Sequence, residues 1–357
     1  MKSEITFLKR GLYRIAGRPL PVPHFAQIEI TNICNLTCEK CVRNHIKGLK
    51  FEHIAYDKFI NIVDRLAGVH TIGLTGFGEP LTYPKIFDAI RYCKERGFEV
   101  QFTSNGLLLS DEKIKKLIES DIDIVSFSVD SIADDHPLHQ NAKALPKIER
   151  LIQARDELGR RNPKVAIQSV MVKGHESNME EVIRWAGKRD VFRMNISRLN
   201  LNTSTHSERL SWQDEKELFK KFEDYRKKYG IRIDCVQDQF YSGWKGVLYK
   251  NLKPFLNLEK HCPRLEDFVY INVDGYVQPC CALTGQRMGN IFEKSLNEIW
   301  MGERYKKIRK DYLKLPWCAK CDILTIRQVQ GGEMVSALTF DKQRGADSNH
   351  TVNDNRS

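Results

Sequence analysis

No run of apolar residues in this 357-residue chain is long enough to cross a bilayer, so stable membrane insertion is not expected. The N-terminus lacks the continuous apolar stretch of a secretory signal. Met1 to Arg18 instead mixes Lys and Arg with Phe7, Leu8, Leu12, Tyr13 and Ile15, the pattern of an amphipathic basic helix used as a lid or cap. No aromatic-studded basic strand or other nucleic-acid module is present, which argues against a nucleic-acid partner. Acidic residues are in deficit, with 57 Lys and Arg against 46 Asp and Glu and a net charge of +11. Much of the excess lies in 220–228 and 304–314, as solvated helix faces or as a surface for an acidic electron donor of the flavodoxin or ferredoxin type. The ten cysteines are grouped rather than scattered. In a chain without a secretory signal that grouping predicts metal sites, not disulfides, and a reducing, cytoplasmic setting.

Apolar periodicity alternates between strand and helix. Strands are expected over 25–30, 70–75, 98–103, 123–129, 164–172 and 192–199. Helices are expected over 56–66, 84–96, 110–119, 145–161 and 178–188. Alternation of this kind builds a parallel sheet, so the fold class is α/β. Six units suggest a partial (β/α)6 barrel of the TIM-like kind, in which chemistry collects at the C-terminal ends of the strands.

Cys34, Cys38 and Cys41, spaced C-x-x-x-C-x-x-C, follow the first strand. Three thiolates can hold three irons of a cubane cluster and leave the fourth open, whereas a cluster that only transfers electrons is normally tied by four. The alternatives are a zinc knuckle or three unrelated thiols. After the second strand comes Gly76-Phe77-Gly78-Glu79-Pro80, where two glycines let backbone approach a ligand and carbonyls or the Glu can accept from an ammonium. Asn105 ends the third strand. Ser128 and Asp130 end the fourth, with Asp130 also a candidate cap for the next helix. Gln168, Asn195 and Arg198 are weaker candidates for cofactor or substrate.

Farther on, Cys262 precedes Gly275 by thirteen positions, Cys280 follows five later, and Cys318 and Cys321 form a C-x-x-C. Asp274-Gly275 between β-formers predicts a type I′ hairpin. Ser295 to Glu298 predicts a capping box for a helix through about Leu313. Four thiolates brought together this way would complete a second cluster with no open iron. A structural zinc site of four cysteines uses the same ligands. Cys281 is an alternative to Cys280, and Cys93 and Cys235 read as core thiols. The tail from 326 is polar and aperiodic and is expected to be disordered.

The cysteine loop Cys34-Asn-Leu-Thr-Cys38-Glu-Lys-Cys41, with Val42 and Arg43 after it, resembles the signature of radical S-adenosylmethionine (SAM) enzymes. Lys40 stands where that family usually has an aromatic residue beside the adenine, and Phe77 replaces the first Gly of its Gly-Gly-Glu-Pro segment. The resemblance implies a [4Fe-4S] cluster whose open iron binds SAM, and a 5′-deoxyadenosyl radical that abstracts a substrate hydrogen. It implies roles near the cofactor for Gly76, Phe77, Gly78, Glu79, Pro80, Asn105, Ser128 and Asp130. The second cysteine set is similar to the twitch module, a shortened SPASM extension. No Cys follows Cys321, so one auxiliary [4Fe-4S] cluster is expected. The resulting division is a cap over 1–24, the barrel over 25–235, the auxiliary-cluster domain over 236–325, and a tail over 326–357.

A fully ligated auxiliary cluster serves best as an electron acceptor. The reading that follows is a dehydrogenase acting on a sugar- or cyclitol-like small molecule, since the family members with one auxiliary cluster include a dehydrogenase of a cyclitol alcohol. The alternative is a maturase acting on a peptide, a protein or a metalloenzyme cofactor. Only 33 residues precede Cys34, too few for the winged-helix peptide-binding domain of many peptide-modifying relatives. A non-catalytic zinc scaffold is the remaining alternative. For a base, Asp234, Asp238, Tyr241 and His261 lie near the join of the two domains, and Asp238 is the first to mutate.

Overall fold

The computed structural model describes residue 13 and residues 19–39, 41–46, 48–133, 141–204, 208–238, 262–325, 327–330 and 333–336. The expected N-terminal helix, Lys40, Tyr241 and His261 therefore lie outside the described residues, apart from Tyr13 of the helix.

Seven parallel strands run in spatial order β1 (Phe25–Ile28), β2 (Thr71–Gly73), β3 (Glu99–Ser104), β4 (Ile124–Ser128), β5 (Lys164–Met171), β6 (Val191–Arg198) and β7 (Ile233–Cys235). Helices α1 (Tyr56–Asp64), α2 (Ile86–Glu95), α3 (Asp111–Glu119), α4 (Leu145–Glu157), α5 (Glu176–Gly187) and α6 (Trp212–Tyr229) alternate with them. This is the expected sheet of a partial barrel.

The strand alternation explains the layering. In β1, Ala26 and Ile28 join a buried core with Phe59, Ile62 and Val63 of α1, while Gln27 turns to the other face and donates to the Thr75 carbonyl at 2.8 Å. Period-2 alternation thus assigns one face of each strand to the helices and leaves a more polar inner face. Local chemistry sets the helix ends as expected at two places. Ser110 caps α3 by accepting from the Lys113 N–H at 3.3 Å, and Gly97, at φ +79°, closes the turn after α2.

The eighteen-residue α6 is an element the periodicity reading did not delimit. Its signals are a capping box, Ser211 with Asp214, and Gly230 at φ 62° as its C-terminal stop.

The auxiliary segment joins the same sheet. Strand β8 (Phe268–Ile271) pairs in parallel with β1, with Phe25 opposite Phe268 and Ile28 opposite Ile271. Strand β9 (Tyr276–Gln278) returns antiparallel and pairs with β10 (Gly289–Asn290).

The hairpin is present, but its turn is not type I′. Asn272 N–H donates to Tyr276 O at 3.1 Å, Gly275 N–H donates to Asn272 O at 2.9 Å, and only Gly275 has positive φ, at 81°. A type I turn closed by a left-handed glycine has this pattern. The Asn272 carboxamide favours it by accepting from both Asp274 and Tyr276 N–H.

The expected long helix after Ser295 is also divided. Ser295 and Glu298 do form the capping box, but the helix stops at Trp300 and a second runs from Glu303 to Asp311. Gly302 lies at the break, where an added Cβ would stand 2.7 Å from the Glu298 carbonyl oxygen. Finally, the start of the expected disordered tail carries an antiparallel pair, β11 (Arg327–Gln330) with β12 (Glu333–Ser336). The intervening sequence is Gly-Gly, a hairpin signal that the polar composition had masked.

Candidate functional site

The segment leaving β1 is fastened to the segment leaving β2. Gly78 N–H donates to Thr31 O at 3.1 Å and Glu79 N–H to Ile33 O at 2.9 Å, and the Thr82 hydroxyl donates to Ile33 O at 3.1 Å. The two glycines permit this contact. A Cβ on Gly78 would lie 2.4 Å from the Ile33 carbonyl oxygen, and one on Gly76 would lie 2.4 Å from Cγ of Glu29. Their smallness therefore serves contact with the chain leading into Cys34, rather than only the approach to a ligand expected from the sequence.

Glu79 has a job beside the one its motif suggested. It is buried, with Oε1 accepting from Leu81 N–H at 3.1 Å and from the Ser104 hydroxyl at 2.7 Å, and Oε2 accepting from Asn105 N–H at 2.8 Å. Burial pushes its pKa up, against those three donors and Lys113. Pro80 begins the short 3-10 turn that Glu79 caps. Phe77 N–H donates to the buried Glu29 carboxylate at 3.3 Å, and its ring tilts against Tyr270 of β8 at 6.0 Å. Glu29 and Tyr270 carried no motif; only their registration on neighbouring strands shows their place.

Asn105 reaches the cysteine loop itself. Its Nδ2 donates to Asn35 Oδ1 at 2.8 Å, and its Oδ1 accepts from Leu107 N–H at 3.0 Å. Within the loop, Arg43 is buried and donates to Leu36 O at 2.6 Å, and Asn44 Nδ2 donates to Cys38 O at 2.7 Å. Leu36 N–H donates to Cys34 Sγ at 3.4 Å. Burial raises the Cys34 and Cys38 thiols, with the Cys41 thiol adding to the shift at both and the Cys34 thiol adding to that at Cys38. All three thiols are partly buried.

Ser128 lies on the inner face of the β4 tip. Asp130 is buried, and its Oδ1 accepts from Val170 N–H of β5 at 2.7 Å, tying the exits of two strands. The sequence suggested a cofactor contact or a helix cap for Asp130, and did not suggest this tie.

In the second set, Cys262, Cys280 and Cys318 all pack against the main core. Burial pushes Cys262 up to about 12 and Cys318 up to about 11, each aided by the Cys321 thiol. Cys280 is lowered by a hydrogen bond from the adjacent Cys281. All ten cysteines are free thiols. Among the described residues, no three His, Cys, Asp or Glu side chains are already set as the ligands of a single metal ion. The donors nevertheless suit iron–sulfur clusters: thiols only, partly buried, and at Cys34 with an N–H donated to sulfur.

A cavity of about 840 Å3 runs along β7, lined by Gln168, Asn195 and Ser197 on the inner sheet face, Asp234, Asp238 and Arg226 on one wall, and Ile323 and Leu324 on another. Gln168 and Asn195 are register partners on β5 and β6. Asp238 is buried and paired with Arg226, and Asp234 is paired with Arg232 at 3.0 Å. Arg198, a cofactor or substrate candidate from the sequence, is not on this wall. It is fully buried and bound to Glu215. Burial penalises its charge, and Glu215 and Asp322 more than offset that, so its pKa lies above the ordinary arginine value.

A parallel partial barrel with a three-thiol loop at the exit of its first strand, and a thiol-rich hairpin added beside that strand, defines a class of cluster-bearing α/β enzymes. The radical SAM superfamily profile matches residues 28–186, and the SPASM iron–sulfur cluster-binding domain matches residues 262–322. The chain belongs to the radical SAM superfamily and carries a C-terminal SPASM domain; its cofactors are SAM, a [4Fe-4S] cluster and an auxiliary cluster.

Among curated relatives it is 29% identical to the "tungsten-containing aldehyde ferredoxin oxidoreductase cofactor-modifying protein" of Pyrococcus furiosus over 331 residues, spanning 84% of this chain and 87% of the relative. It is 24% identical to the AdoMet-dependent heme synthase of Methanosarcina barkeri, spanning 87% and 90%. Among solved structures, SuiB of Streptococcus suis bound to SAM superposes with a TM-score of 0.66 at 18% identity, covering 90% of this chain and 76% of that one. The structure of native anSMEcpe with bound AdoMet gives 0.62 at 17%, covering 91% and 99%. These two likenesses carry the fold alone. Among the described residues, no helix is long and apolar enough to cross a membrane.

Proposed function

We propose that this chain oxidises a polar small molecule by hydrogen abstraction, with Cys34, Cys38 and Cys41 holding the SAM-binding cluster and Cys262, Cys280, Cys318 and Cys321 the auxiliary one. When bound, the first cluster and SAM supply a 5′-deoxyadenosyl radical. A two-electron oxidation there would balance with a hydrogen atom given up to that chemistry, a proton to a base on this chain and one electron to the group that Cys262, Cys280, Cys318 and Cys321 would hold.

The observation that carries this reading is the direct pairing of β8 with β1, which builds the auxiliary hairpin into the barrel sheet. A module that served only to stabilise the chain would not need to be continuous with the strand that leads into the SAM cluster loop. The cavity supports a small molecule, since about 840 Å3 lies in the range of small-molecule sites. Its charged walls are internally paired, while Gln168, Asn195 and Ser197 offer neutral donors and acceptors. Asp238 and Asp234 are the carboxylates on its wall, and Asp238 is the first candidate for the base.

Two substrate classes follow. Neutral hydrogen-bonding groups suit the hydroxyls of a sugar- or cyclitol-like molecule. They suit equally the edge of an organic cofactor, and the Pyrococcus furiosus relative, named as cofactor-modifying, favours that second class over a peptide.

The test is reconstituted protein with SAM and dithionite, offered cyclitols, sugars and the cofactor fraction of a tungsten-containing aldehyde oxidoreductase. Substrate-dependent deuterium transfer into 5′-deoxyadenosine, together with a product two mass units lighter, supports the reading. Turnover of peptides alone contradicts it.

A further inference from the structure

Asp322 follows Cys321 directly and has no solvent exposure. Its carboxylate oxygens accept from both terminal nitrogens of Arg209, at 3.0 and 2.9 Å. Gln237, just beyond β7, donates Nε2 to the carbonyls of Asp322, Ile323 and Thr325 at 3.2, 2.9 and 2.9 Å. Arg198, at the end of β6, donates to the carbonyls of Asp322, Thr325 and Arg327. The rest of its guanidinium is held bidentate by Glu215 at 2.8 and 2.7 Å. Three barrel side chains thus grip the residues that follow an auxiliary-cluster thiol, and none of them is more than 6% exposed.

Charge buried this deeply is a poor source of stability. Apolar side chains of similar volume would hold the segment as firmly. What forked guanidinium contacts add is fixed position, because each N–H donates well to only a narrow range of acceptor placements. The position fixed here belongs to Cys321 on one side and to Ile323 and Leu324, in the cavity wall, on the other.

We propose that Arg209 and Arg198 are positioning residues for the auxiliary cluster, acting through Asp322 to fix the Cys321 thiolate and to tie that ligand to the wall of the substrate cavity. The proposal rests on the reading that Cys321 is a cluster ligand.

The test uses full-length protein, purified without oxygen and reconstituted, with three variants. Asp322→Asn removes the carboxylate charge. Arg209→Lys keeps a cation but removes the fork. Lys94→Met breaks the part-buried pair with Asp123, 2.6 Å apart, and controls for general destabilisation. Iron per chain, the electron paramagnetic resonance spectrum of the reduced protein, and 5′-deoxyadenosine formation are read for each.

Asp322→Asn and Arg209→Lys are expected to lose about half the iron or to change only the auxiliary-cluster signal, with SAM cleavage kept within about twofold. If Asp322→Asn does not accumulate in soluble form, Arg209→Lys decides alone. Wild-type iron and an unchanged spectrum in Arg209→Lys would overturn the proposal, as would an equal loss in Lys94→Met. A wild-type protein with no second cluster signal would instead mean that the two-cluster reading had failed.

Discussion

Cys34, Cys38 and Cys41 lie within eight residues of chain, whereas Cys262 and Cys321 stand sixty residues apart, counting both ends. The first set is held by the backbone: Gly78 and Glu79 N–H groups bind the strand exit before Cys34, and Arg43 and Asn44 bind carbonyls inside the loop. The second is held by elements distant in sequence. Its hairpin is paired to β1, and Asp322, the residue after its last thiol, is bound by Arg209. Thiols within one short loop are already neighbours in sequence, and the barrel only has to brace the loop, through Gly78, Glu79 and Asn105. Thiols far apart in sequence must be brought together by the fold, so their placement depends on the barrel as a whole. The first site should therefore be sensitive to changes in its own loop and in the Gly78-Glu79 segment that braces it, and the second to changes in the contacts of its hairpin and of Asp322.

The largest effect that separates the two should come from Cys38→Ala, which is expected to abolish SAM cleavage, measured as 5′-deoxyadenosine after dithionite reduction, while retaining the auxiliary-cluster signal. Cys321→Ser should do the reverse, keeping part of SAM cleavage and stopping substrate turnover. Continued turnover in that variant would show that the second cluster is not the electron acceptor.

Gly78→Ala should shift the cysteine loop, since its Cβ meets the Ile33 carbonyl. A loss of about 1–3 kcal/mol is expected from such overpacking, read as a lower denaturation midpoint, with iron released from the first site before the second. Glu79→Gln replaces an acceptor of three hydrogen bonds with a group that presents N–H to N–H. It should cost about 1–3 kcal/mol and loosen the first site in the same order. If either substitution released auxiliary iron first, the distinction between local and global support would be wrong.

What the sequence showed and hid follows the same division. The three-thiol loop, the glycine segment after β2 and the Ser110 cap are short patterns of residue types, and each was readable in place, although the partners of the glycine segment, Thr31 and Ile33, lie on the neighbouring strand exit. The pairing of β8 with β1 joins Phe25 to Phe268, and nothing local marks a parallel partner so far along the chain. Glu79 was legible as part of a motif, but its use by Ser104 and Asn105 depends on β2 and β3 being neighbours. Arg198 read as a polar group at a strand tip, the usual place for a ligand contact. Only the carbonyls of Asp322, Thr325 and Arg327, returning to that tip, turn it into a buried clamp. Asp274-Gly275 signalled the hairpin correctly and its turn type incorrectly, because the Asn272 side chain selects a longer loop.

The most direct measurement of the central claim, two clusters with separate work, is iron and acid-labile sulfide per chain after anaerobic reconstitution, with 5′-deoxyadenosine assayed in the same sample. The account predicts about eight irons and about eight sulfides, with cleavage dependent on dithionite. About four irons with cleavage would remove the auxiliary acceptor, and zinc with no cleavage would contradict the account altogether.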